Sequence, residues 1–402
     1  MNELCTDMGF VNFNKYGEQL CGDHVEIVSM EDKLTVMVLA DGLGSGVKAN
    51  ILSTLTAKII STMMANFLAV EDCVETIAAT LPVCKERRIA YSTFTVIRIA
   101  DNHDAEIIQY DNPQVILLRQ GKNFEYPKTL QAAGGDSSSG GLSSGRKTIY
   151  KTRIKLQEDD TIITMSDGAV HAGAGRRLNL GWQRENIITF MEGIYNREYT
   201  AKTLSSILLD KCYSLYDGEP GDDTTICTVK IRQRQPINLL AGPPASPADT
   251  LKMMSLFFSK EGKHIVCGGT TSALAAEFLG KTLETGFPRY MDPEIPPTAK
   301  ISGVDLVTEG VITISRVLEY ARDYIGKNNS YAQWNAGMDG ASEIARLLFE
   351  EATDINFYVG RAINPAHQNS DLPIGFSIKM RLIDELAARL KEMGKRIKVS
   401  YF

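Results

Sequence analysis

Apolar residues in the first half of the chain come in short runs that stop at turns of acid and glycine. Leu34-Thr35-Val36-Met37-Val38-Leu39 reads as a buried strand. It runs into Ala40-Asp41-Gly42-Leu43-Gly44-Ser45-Gly46. An apolar-periodic segment from 47 to about 67 predicts a helix, with Ile51, Leu52, Leu55, Ile59 and Ile60 as its core-facing stripe. The pattern thus sets a carboxylate at a strand tip, before a turn in which backbone can approach a ligand closely.

The arrangement recurs three times. A second apolar strand, 161–166, ends in Asp167-Gly168. Gly221-Asp222-Asp223-Thr224-Thr225 opens a strand over 226–231, and Gly22-Asp23 opens one over 24–30. Residues 1–39 carry two strand signals in all, with a turn near Glu31-Asp32. Further strands are expected at 91–99, 106–110, 115–119 and 151–156, and helices at 70–81, 184–195 and 203–213. Glu158-Asp159-Asp160 reads as a solvated turn. The Gly- and Ser-rich stretch 134–145 reads as a loop, either a flap beside a site or a plain connection.

After Pro236 the rhythm changes to strand, helix, strand, helix. Strands are expected at 237–240, 264–267, 304–307, 355–359 and 396–401. Helices are expected from the Ser246 cap to 260, then at 272–279, up to 324, and at 377–393. The reading is therefore of two domains, 1–234 and 236–402, the second a smaller α/β unit with a mainly parallel sheet. In such sheets ligands bind beyond the carboxyl ends of the strands. Gly242-Pro243-Pro244, Gly268-Gly269-Thr270-Thr271 and Thr308-Glu309-Gly310 gather there. The backbone at Gly268, Gly269, Thr270 and Thr271 is a candidate anion site, without a Walker lysine or a full Rossmann spacing. Tyr331 and Trp334 fall in a polar stretch read as a surface loop or a lid.

Composition narrows the function. The 402 residues carry a net charge of -6, so no basic footprint for nucleic acid exists. Seven cysteines, with no C-x-x-C pair, fit reduced thiols in a cytoplasmic protein. No apolar run reaches spanning length, and the first residues do not form a signal peptide, so no membrane association is expected. The four Asp-bearing strand ends carry the candidate chemistry. Carboxylates brought together raise one another's pKa and need cations. Hard divalent ions, Mn²⁺ or Mg²⁺, suit oxygen ligands.

The four stretches 17–23, 40–46, 166–168 and 221–225 resemble, in order and spacing, the metal-dependent serine/threonine phosphatases of type PP2C, or PPM. The resemblance covers residues 1 to about 234 and is strongest to the bacterial branch related to SpoIIE. It implies an α+β fold, a PP2C-like α/β/β/α sandwich of two face-to-face sheets with helices outside. It implies two ions, Mn²⁺ or Mg²⁺, bridged by Asp41, with the Gly42 carbonyl on one of them. Asp167 and Asp222 would complete the second ion's shell, and Asp23 would hold metal-bound water. Asp222 is preferred to Asp223 because the family's ligand stands three residues before a hydroxyl, here Thr225. Asp223 stays open as an alternative. His24 and His171 lie close in sequence to these ligands, as proton donors or as structural histidines. The implied activity is hydrolysis of phosphoserine or phosphothreonine on a regulatory phosphoprotein, of the anti-anti-sigma-factor type, by water shared between the ions. Two departures stand out: Ser45 replaces the His of many bacterial relatives, and no equivalent of the eukaryotic phosphate-gripping Arg is evident. The rival readings are an inactive PP2C-like signalling scaffold and a nucleotide- or small-molecule-binding regulator working through the second half. That half is also a candidate for partner docking or homodimerisation.

Overall fold

A computed structural model describes residues 3–30, 33–69, 72–73, 76–77, 92–132, 148–286, 295–326, 334–362 and 378–402. Most of the helix expected at 70–81, the loop at 134–145 and Tyr331 lie outside the described residues. Two compact units form, Met1–Gln233 and Arg234–Phe402.

In the first unit the apolar run becomes strand β3, with side chains alternating between two different cores. The strands are β1 (Leu4–Phe13), β2 (Asp23–Met30), β3 (Leu34–Gly42), β4 (Ser92–Ala100), β5 (Asp104–Tyr110), β6 (Ile116–Arg119), β7 (Lys122–Asn123), β8 (Thr129–Ala132), β9 (Thr148–Lys155), β10 (Thr161–Met165) and β11 (Thr224–Gln233). One antiparallel sheet runs β1-β11-β10-β6-β7; the other runs β2-β3-β4-β5-β9-β8. Met37 and Leu39 of β3 pack with Ile97, Ile107, Leu117, Ile162 and Val229, the core between the sheets. Val36, Val38 and Ala40 face the opposite way, onto Leu52, Ala57 and Ile60 of helix α1 (Gly46–Ala65). On the far side Ile163, Met165 and Ile226 pack against Ile187, Met191, Leu204 and Leu208. The result is helix, sheet, sheet, helix, because β3 is apolar on both faces.

Three local expectations need correction. Strand β1 was not among the two strand signals expected in residues 1–39, yet it pairs with β11 over ten residues, Leu4↔Gln233 to Phe13↔Thr224. Of the expected α1 stripe only Leu52 and Ile60 are fully buried; Ile51 and Leu55 face solvent. Ala49, Ser53, Thr56 and Ala57 are buried instead. The helix lies so close to β3 that a Cβ on Gly42 would sit 2.3 Å from the Ala49 carbonyl oxygen, which leaves space only for small residues. Asp160 is not solvated: it is fully buried and takes two hydrogen bonds from Arg119, at 2.8 and 2.7 Å.

The second unit has strands β12 (Pro236–Ala241), β13 (Lys263–Cys267), β14 (Glu284–Thr285), β15 (Ala299–Lys300), β16 (Leu306–Thr308), β17 (Asp354–Val359) and β18 (Arg396–Tyr401). Their order is β14-β15-β16-β13-β12-β17-β18, with the last five parallel. Helices cover both faces. Met253, Phe257 and Ala275 pack on one face, and Val317, Leu348 and Leu386 on the other. Trp334 belongs to that second core and is fully buried against Tyr324 and Phe349, not on a surface loop. No described helix is long and apolar enough to cross a membrane.

Candidate active site

Strand register assembles the first half of the site. In the antiparallel β2–β3 pair Asp23 stands opposite Asp41, so the two carboxylates share a face. Its neighbour His24 stands opposite Ala40 and turns away. There it bonds Glu26 at 3.2 Å, beside Lys58. His24 is therefore not brought to the aspartates.

The second half comes from the other sheet. Beyond the β10–β11 ladder the Ser166 N–H donates to the Thr225 carbonyl (3.0 Å), and the Thr225 N–H to the Ser166 hydroxyl (2.9 Å). This clamp puts Asp167, the first residue of helix α2 (Asp167–Val170), beside Asp222 and Asp223. The glycines after the aspartates are fixed by close packing: a Cβ on Gly168 would lie 2.2 Å from the Asp223 carbonyl oxygen. Gly168→Ala is expected to destabilise the protein by about 1–3 kcal/mol or more, read as a lowered melting temperature; an unchanged melting temperature would contradict this packing.

The two halves meet. Asp41 is pushed up to about 9, first by burial and then by the charges of Asp23, Asp167 and Asp222. Asp23 is pushed up to about 7, chiefly by burial, with the nearby Ser166 and Thr225 hydroxyls offsetting part of the rise and the charges of Asp223 and Asp167 adding to it. Asp167, the most open of the set, is raised first by loss of solvation and then by Asp222, while His171, exposed four residues on, lowers it. Asp223 is also raised, first by burial. Asp23 and Asp223 are only 3% and 4% exposed. Neither oxygen of Asp23, nor Oδ2 of Asp223, has a well-formed hydrogen bond among the described residues.

Buried carboxylate oxygens without donors are costly unless a cation or a proton satisfies them. An all-oxygen donor set favours a hard cation. By that unmet need the residues fit the divalent ions that the resemblance implies. The cage is not closed, for no group of three or more His, Cys, Asp and Glu side chains among the described residues is placed to hold an ion outright.

Several contacts here carry no motif in the sequence. The Lys15 N–H donates to Asp223 Oδ1 at 2.9 Å, the Gly42 N–H to the Gly22 carbonyl at 3.2 Å, and Ser45 to Glu18 at 3.2 Å. Cys21 lies beside the cluster, its thiol pushed up by burial and by Asp23 and Asp223. Arg176 and Arg177, which follow Asp167 in the chain, pair with Glu219 and Asp217.

The candidate anion loop belongs to the second unit. There the Gly268 N–H already donates to the Thr308 carbonyl (2.9 Å) and the Thr271 hydroxyl accepts from the Gly242 N–H (3.0 Å). Gly269 and Thr270 are exposed at the start of their helix.

Two stacked antiparallel sheets, flanked by helices and ending in converging aspartates, define a PP2C-type phosphatase domain. Residues 31–232 match the model of the family described as Stage II sporulation protein E (SpoIIE), and the chain belongs to that family. Among solved structures the chain is similar to the phosphatase domain of SpoIIE from Bacillus subtilis, at 16% identity over 58% of this chain and 95% of that one, TM-score 0.43. It is similar to the RsbU and RsbW domains of a Mycobacterium tuberculosis protein, at 16% identity over 62% and 68% of the two chains, TM-score 0.46. It is also similar to the catalytic domain of the serine/threonine phosphatase PstP in complex with two manganese ions, at 14% identity over 57% and 100%, TM-score 0.35. No curated protein matches the chain.

Proposed function

We propose that the first unit is a metal-dependent protein phosphatase acting on phosphoserine or phosphothreonine. The observation that carries this reading is the meeting of Asp23 and Asp41 from one sheet with Asp167, Asp222 and Asp223 from the other, with Asp23 and Asp223 buried, Asp41 and Asp222 half-buried and Asp167 at the open side. Asp41, the Gly42 carbonyl, Asp167 and Asp222 would hold the ions, with Asp23 beside them. When bound, two Mn²⁺ or Mg²⁺ ions supply the positive charge that acidifies water and neutralises phosphate. The chain's own residues do the rest. Their carboxylates repel a phosphate dianion until cations are present, so substrate binding waits on metal. The Ser166–Thr225 clamp and the β2–β3 register fix the two acidic pairs before any ligand arrives. No side-chain nucleophile is required. Six described cysteines are free thiols, which supports a cytoplasmic setting.

The reading is tested by phosphate release from phosphoserine and phosphothreonine peptides across a Mn²⁺ and Mg²⁺ titration. Activity is expected only with metal, and Asp167→Ala is expected to lower it about 100-fold or more while the circular dichroism spectrum stays native. Undiminished activity in that variant, or equal activity in chelator, would overturn the assignment.

A further inference from the structure

The segment between β1 and β2, residues 14–22, is one of the connections between the two sheets that supply the two acidic halves, and the one that leads directly into Asp23. Its ends are therefore tied to both. On one side the Tyr16 N–H donates to the Pro220 carbonyl at 2.8 Å. On the other the Gly22 carbonyl accepts from Gly42, and the Cys21 carbonyl from the Asn50 amide at 2.8 Å. Asp223 reaches both ends of the segment. Its Oδ1 accepts the Lys15 N–H across 208 positions of sequence. A Cβ on Gly22 would lie 2.7 Å from its Oδ2, so the carboxylate is wedged against the segment just before Asp23. Asp222 is different: it is half-buried, and among the described residues its Oδ1 accepts only the N–H of its own neighbour, at 3.0 Å.

We propose that Asp223 acts as a positioning residue. It clasps segment 14–22 to the β10–β11 end of the site and so sets the separation between Asp23/Asp41 and Asp167/Asp222. The inference rests on the phosphatase reading for its consequence, but the clasp is testable without metal. Buried carboxylates that bind backbone N–H groups act by holding a loop in one conformation. Losing such a partner behind metal ligands costs about 10–100-fold in affinity.

Hydrogen exchange of the metal-free full chain, followed by Mn²⁺ titration calorimetry, separates the roles. Asp223→Ala is expected to speed amide exchange in 15–22 by about tenfold or more and to weaken Mn²⁺ by about tenfold. Asp223→Asn keeps an acceptor at Oδ1 and is expected to restore much of the Lys15 protection, which also covers the case in which the alanine variant does not fold. Asp222→Ala is expected to weaken Mn²⁺ with exchange in 15–22 unchanged. Exchange unaltered in Asp223→Ala, or loosened equally by Asp222→Ala, would overturn the clasp. Absence of Mn²⁺ binding by the unmutated protein would instead defeat the phosphatase reading, with the exchange result still deciding the clasp.

Discussion

Replacing Asp41 by asparagine is expected to abolish metal-dependent phosphate release and, at the same time, to raise the melting temperature of the metal-free protein. The two effects have one cause. Asp41 is the residue on which burial and the charges of Asp23, Asp167 and Asp222 all act. In the metal-free fold its carboxyl must stay protonated near neutral pH, whereas in the unfolded chain it ionises freely. Holding the proton costs about 1.4 kcal/mol for each pH unit above the unfolded value. Asparagine removes that cost and keeps the shape. A gain of several kcal/mol, discounted for coupling with Asp23, corresponds to roughly 5–10 °C in a unit of this size. The same substitution takes away the anionic bridge on which both ions depend, and a loss of about 10³-fold in turnover is expected. Calorimetry in chelator and a phosphatase assay in Mn²⁺ check the pair. A lower melting temperature would mean that the aspartates do not repel; retained turnover would place the chemistry elsewhere.

The melting temperature of the metal-free protein is expected to fall as pH rises, and Mn²⁺ or Mg²⁺ is expected to flatten that fall. Asp23 and Asp41 are both raised in the folded state, to about 7 and about 9. The folded protein therefore binds more protons than the unfolded chain between the ordinary carboxylate range and those values. Stability is fully present below about pH 4 and is lost progressively as pH climbs through 7 toward 9. Cations take the place of the protons, so the metal-induced rise in melting temperature should grow with pH. At 100 times the dissociation constant that rise represents about 2.7 kcal/mol. Scanning calorimetry from pH 5 to 9, with and without metal, reads both slopes. A metal-free stability that climbs over this range would show the carboxylates to be individually solvated or paired.

Much of the site was legible because its signals are local. Each aspartate sits at one end of an apolar run, and Asp41 and Asp167 are followed by glycines that prove to be close backbone approaches, Gly42 and Gly168. Other features lack a local signal. The polar Cys5, Thr6 and Asp7 interrupt the apolar pattern of β1, and only its pairing with β11 makes it a strand. The α1 stripe follows helix periodicity, but its phase was set by the closeness of β3, which admits Ala49 and Ala57 and turns Ile51 outward. Trp334 and Asp160 look solvent-facing in a polar sequence. An aromatic core and the Arg119 guanidinium, both distant in sequence, bury them.

By itself the sequence determined which residues are acidic strand tips, which segments alternate or repeat apolar side chains, and where one rhythm gives way to another. These depend on neighbours within a few positions. Only the tertiary structure decided that Asp23 faces Asp41 while His24 faces away, that a buried Asp223 holds Lys15, and that two sheets bring five carboxylates together. Register, burial and charge repulsion are properties of pairs far apart along the chain, and they acquire values only when the sheets close on each other.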